Sequence, residues 1–74
     1  MSDTITVDAR GLSCPQPVVE TKKVMNAQAG GTIVVLVDTV TSRENVSRLG
    51  RNQGWDVSTE DLPDGEFRVV LNKS

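Results

Sequence analysis

The run Ile33-Val34-Val35-Leu36-Val37 constrains the possible folds of this chain more than any other stretch. Four of its five residues are β-branched, it is too short for a helix, and Thr32 and Asp38 bound it with polar groups. It reads as a central strand, Thr32 to Asp38, with both faces at least partly covered. A chain of 74 residues makes one small domain, residues 1–74, burying only about 60–65% of the surface its unfolded form exposes. The other elements have to assemble around this strand.

Thr4 to Asp8 alternates polar and apolar, with Ile5 and Val7 on one side, and predicts a half-buried strand. The period then becomes helical. From Pro15 to about Ala29, Val18, Thr21, Val24, Met25 and Gln28 follow i, i+3, i+4 spacing, and Gly30-Gly31 supplies the stop. Strand, helix and strand at this spacing predict a right-handed crossover between parallel strands. Thr41-Ser42-Arg43-Glu44 has capping-box spacing, which places Thr41 at the N-cap of a second helix running through Asn52. That helix would bury Val46 and Leu49 and pair Glu44 with Arg48. Gly54 ends it.

Trp55 to Glu60 alternates again, with Trp55, Val57 and Thr59 on one face, and Glu66 to Asn72 matches it with Phe67, Val69 and Leu71. Leu62-Pro63-Asp64-Gly65 between them suits a tight turn, so the two form an antiparallel hairpin. The order βαβαββ predicts an α+β two-layer sandwich, a mixed four-stranded sheet with two helices on one face. The other face would then expose either Val34 and Leu36 or Ile33, Val35 and Val37, beside Val70. Such a patch is either a self-association or partner surface or a small remnant on a monomer.

Absences narrow the chemistry. With no His and one Cys, neither Cys–His nor Ser–His–Asp catalysis is available, and metal centres and cofactors are not expected. Pro17 stands where the second thiol of a Cys-x-x-Cys pair would be. Net charge is −2, but residues 10–51 carry a local +3 and residues 52–74 a local −3, an asymmetry suited to protein partners. Without a dense basic run, and with only Trp55 and Phe67 as aromatics, nucleic-acid binding is disfavoured. No apolar run is long enough to span a bilayer, nothing resembles a signal peptide, and a lone thiol fits the reducing cytoplasm.

Chemistry has to run through Cys14, in Gly11-Leu12-Ser13-Cys14-Pro15-Gln16-Pro17. Pro15 suits the first helical position, which places Cys14 at the N-cap and Pro17 at N3. A sulfur at a helix N-terminus faces the positive end of the macrodipole, which favours thiolate, and Arg10 is close in sequence. A buried structural cysteine is the plain alternative. With no base, second thiol or metal beside it, a reactive Cys14 is suited to carrying a group, as a persulfide, rather than to completing a catalytic cycle.

Val7-Asp8-Ala9-Arg10-Gly11-Leu12-Ser13-Cys14-Pro15-Gln16-Pro17-Val18-Val19 resembles the signature of the small TusA/SirA-like sulfur-carrier proteins, with its Cys-Pro-x-Pro motif. The likeness continues through Lys22-Lys23, Gly31, the apolar strand ending in Asp38 and the final hairpin. Glu44-Asn45-Val46-Ser47-Arg48-Leu49 and Gln53-Gly54-Trp55 look most like the N-terminal domain of YedF-type proteins associated with selenium metabolism, which usually carry a second, DsrE-like domain. The resemblance implies strand order 1-2-4-3 and Cys14 as the acceptor of sulfane sulfur. It implies Pro15 and Pro17 as supports of the cysteine turn with Arg10 and Gly11, and Arg10, Gln16 and Lys22 as part of a docking face. The implied partners are a cysteine desulfurase as donor and a relay protein as acceptor. A non-catalytic regulatory or binding module, linked through thiol sensing or selenium, is the second reading. RNA binding is a third, since this fold also resembles the C-terminal domain of bacterial translation initiation factor three.

Overall fold

A computed structural model describes residues 4–12, 16–28 and 30–73. The elements follow the predicted order: β1 (Thr4–Asp8), α1 (Gln16–Ala27), β2 (Gly31–Val37), α2 (Val40–Asn52), β3 (Asp56–Asp61) and β4 (Phe67–Lys73). The sheet runs β1-β2-β4-β3, the predicted order. β2 pairs parallel with β1 and antiparallel with β4, and β3 closes the sheet antiparallel to β4. The apolar run is therefore a central strand with a neighbour on each side.

Register decides which face of β2 is buried. Ile5, Ile33 and Leu71 stand in line across the sheet, as do Val7, Val35 and Val69. Ile33, Val35, Val37, Val69 and Leu71 are fully buried beneath the helices. Burying each of these aliphatic side chains contributes about 1.5–3 kcal/mol, an upper estimate because the unfolded chain is itself partly collapsed. Val34, Leu36 and Val70 point the other way and are only half-buried; Thr6 and Ser58 complete the row of Val34 and Val70, and Asp8 and Arg68 flank Leu36. The apolar strip on the open face is thus narrow, bounded by hydroxyls at Val34 and Val70 and by charged side chains at Leu36.

The helices close the core from one side. On α1, Pro17, Thr21 and Met25 are buried, a stripe one position earlier than the Val18-based pattern at its start; Val18 and Val24 flank it, half-buried. Thr21 satisfies its hydroxyl by donating to the Pro17 carbonyl at 2.7 Å. On α2, Ser42, Val46, Ser47 and Gly50 face inward. A Cβ at Gly50 would come within 2.6 Å of a Leu71 methyl and 2.7 Å of a Val57 methyl, so the missing side chain lets α2 lie close on β3 and β4. Trp55 caps this end of the core, with the Lys73 ammonium 5.7 Å from its ring centroid. Among the described residues no helix is long and apolar enough to cross a membrane.

Several local expectations change. The N-cap of α2 is Thr39, not Thr41. Thr39 is extended (φ −138°, ψ 152°) and its hydroxyl accepts from the Ser42 N–H at 3.0 Å. Thr41 falls inside the first turn, and Glu44 pairs with neighbouring Arg43 (3.0 Å), not with Arg48. Arg43 is drawn there by its own tertiary contact, its guanidinium lying 4.8 Å over the Phe67 ring. Thr59 shares the inner face with Val57 by register, opposite Val69, yet remains exposed on the edge strand.

Candidate functional site

Because β1 and β2 are parallel, the loop after β1 and the link from β2 to α2 leave the same end of the sheet. The Cys-Pro-x-Pro segment follows the first of these. Ser13, Cys14 and Pro15 lie outside the described residues, so the expected N-cap placement of Cys14 and the N1 placement of Pro15 lie outside them too. The residues on either side define how the segment is held.

The backbone N–H groups of residues 9–12 are all engaged. Ala9 donates to the Leu36 carbonyl (2.9 Å), extending the parallel ladder one step beyond β1. Arg10 donates to Asp8 Oδ1 (3.2 Å), Gly11 to Asp38 Oδ2 (2.8 Å) and Leu12 to the Ala9 carbonyl (3.4 Å). Gly11 sits at φ +79°, where an L side chain would be strained, so the loop needs a glycine there. On the far side, Pro17 is buried in the first turn of α1, where its missing N–H leaves no helical bond unmade. Gln16 is exposed at the start of α1, and Lys22 is exposed about 9 Å further along the helix axis.

Arg10 is not a spare cation. Its guanidinium holds the Asp8 carboxylate with two bonds of 2.9 Å and reaches Glu66 Oε1 at 3.3 Å. Those hydrogen bonds, the Asp8 pair first and Glu66 second, raise the Arg10 pKa above its ordinary value. Arg10 side-chain bonds, then its backbone N–H, lower Asp8 from 3.8 to about 2. A carboxylate held below its unfolded pKa stabilises the fold above about pH 4 and loses that contribution as pH falls through about 2. Arg10→Gln should return Asp8 to the ordinary carboxylate range in a carbon-detected NMR titration. An Asp8 that still titrated near 2 in that variant would contradict the pairing. The pair is solvent-exposed, so salt should weaken its effect.

Of the predicted site residues, the structure joins Arg10 and Gly11 to one cluster at the loop and places Pro17 and Gln16 at its exit. Lys22 lies apart on the exposed side of α1. Two members of the cluster were missed by reasoning from sequence: Asp38, 27 positions from Gly11, and Glu66, 56 positions from Arg10. The only available signal for Asp38 was its place directly after the apolar run.

The sequence profile of the sulfurtransferase TusA family matches residues 5–73, nearly the whole chain and all of the loop just described. The chain belongs to this family. A protein of Methanocaldococcus jannaschii, provisionally named a sulfur carrier, is 32% identical over 68 residues, covering 90% of this chain and 91% of its own. The sulfur carrier protein TusA of Allochromatium vinosum is 28% identical over 69 residues, covering 92% and 91%. The crystal structure of a SirA-like protein from Desulfitobacterium hafniense superposes with a TM-score of 0.87 at 34% identity, covering 92% of this chain and 95% of that one. Family and βαβαββ architecture agree with the expectation drawn from the Cys-Pro-x-Pro motif.

Proposed function

We propose that this TusA-family chain is a sulfur carrier that accepts sulfane sulfur on Cys14 and hands it to a partner protein. The observation that carries the reading is the family match over residues 5–73, which includes the single thiol of the chain. The Cys14 thiolate attacks the terminal sulfur of a donor persulfide, R–S–SH. The donor S–S bond breaks, a new S–S bond forms to give Cys14–S–SH, and the donor leaves as R–S⁻. The sulfane sulfur changes owner without any net oxidation or reduction. Delivery repeats the step, with Cys14 as the leaving thiolate and a partner's sulfur as nucleophile.

The absence of a second thiol from the sequence supports this reading, because no internal sulfur can resolve the persulfide into a disulfide. A cysteine desulfurase is the donor class that fits, and a relay protein the acceptor class. Arg10, Gln16 and Lys22 lie on the surface such partners would meet. A carrier thiol that has to stay reduced belongs in the cytoplasm. Family membership favours carrying over the regulatory-module and RNA-binding readings. The test is incubation with a cysteine desulfurase and cysteine: the chain should gain the mass of one sulfur atom, and prior alkylation should block the gain. Equal uptake by alkylated chain would overturn the proposal.

A further inference from the structure

We propose that Asp38 is the positioning residue of the cysteine-bearing loop, acting as the hydrogen-bond acceptor that fixes Gly11, three positions before Cys14 in the sequence. Of the acceptors serving the N–H groups of residues 9–12, two lie within the loop's own neighbourhood, Asp8 and the Ala9 carbonyl, and one is the ladder carbonyl of Leu36. Asp38 Oδ2, at 2.8 Å from the Gly11 nitrogen, is the one side chain reaching in from distant sequence.

The place of Asp38 is itself fixed from both sides. It directly follows Val37, fully buried at the end of β2, and directly precedes Thr39, the extended N-cap of α2. Among the described residues Asp38 forms no ion pair, while the nearby Arg10 guanidinium is occupied by Asp8 and Glu66. Its carboxylate is thus committed to the loop. Gly11 is held on one side of the segment and the buried Pro17, whose carbonyl accepts from Thr21, on the other. Residues 12–16 span the interval between these two anchors, and tethering both ends of a short segment lowers the entropy cost of engaging a partner.

The inference rests on Cys14 as the sulfur-accepting residue, and its test separates the two. In the full chain, Asp38→Ala should speed hydrogen exchange at the Gly11 amide about ten-fold or more, while Asp38→Asn, whose side-chain carbonyl still accepts, stays near wild type. Sulfur loading from a cysteine desulfurase should slow about ten-fold in Asp38→Ala and recover in Asp38→Asn. Alkylation by iodoacetamide, which needs no docked geometry, should change less than about two-fold. Unaltered Gly11 exchange and loading in Asp38→Ala would overturn the proposal, as would an Asp38→Asn chain no better than Asp38→Ala. A wild-type chain that took up no sulfur would instead overturn the Cys14 reading, with Gly11 exchange still deciding the clamp.

Discussion

Leu71→Ala should lower the unfolding free energy by about 2–5 kcal/mol, and Val70→Ala, one position earlier, by about 1 kcal/mol or less. Both residues lie in β4, so backbone propensity and local sequence are nearly matched. They differ in what covers them. Leu71 is fully buried opposite Ile33 and Val57, and its methyl occupies the space that Gly50 leaves on α2. Removing it opens a cavity that α2 cannot fill without moving, and the cavity adds to the lost transfer energy. Val70 stands beside Val34 on the open face, half-exposed already. A domain of this length has a total stability of about 4–11 kcal/mol, so the first substitution would remove a large share of it. Urea midpoints at constant slope give the comparison. Equal losses at the two positions would mean that a second layer, or another copy of the chain, covers the open face.

Cys14→Ser should abolish sulfur uptake altogether. Serine keeps the shape of the side chain and loses the chemistry: its hydroxyl stays protonated near neutral pH, and there is no histidine in the chain to activate it. No other thiol exists to substitute. The loss should therefore be complete, in contrast to the partial loss expected from Asp38→Ala, which leaves the nucleophile in place and loosens its mounting. Residual loading of the serine chain at the wild-type rate would place the sulfur elsewhere.

Much of this architecture is legible because most of its elements have a distinct apolar period. The alternation of Thr4–Asp8 and of Phe67–Leu71, and the helical spacing of Thr21 and Met25, are local signals. The apolar run of β2 carries no such parity, since both of its faces are aliphatic. Only pairing with the alternating strands β1 and β4 selects Ile33, Val35 and Val37 as the inner set. The N-cap moved two residues for a similar reason. Thr41, with Glu44 three positions on, is the better cap by local pattern, whereas Thr39 directly follows Asp38, whose carboxylate is tied to Gly11 by a tertiary hydrogen bond. The motif itself was legible at Cys14, Pro15 and Pro17. The carboxylates that serve its loop were not, because meetings across 27 and 56 positions leave no mark on local pattern.

The central claim is that Cys14 takes a sulfur and gives it up. It is tested most directly by loading the chain from a cysteine desulfurase, removing the donor, and locating the added sulfur by tandem mass spectrometry before and after exposure to an acceptor thiol. The account predicts one added sulfur atom on the peptide containing Cys14, absent from Cys14→Ser, and its loss to the acceptor with the original mass restored. A chain that gained no sulfur there, or that held it against a competent acceptor, would contradict the account.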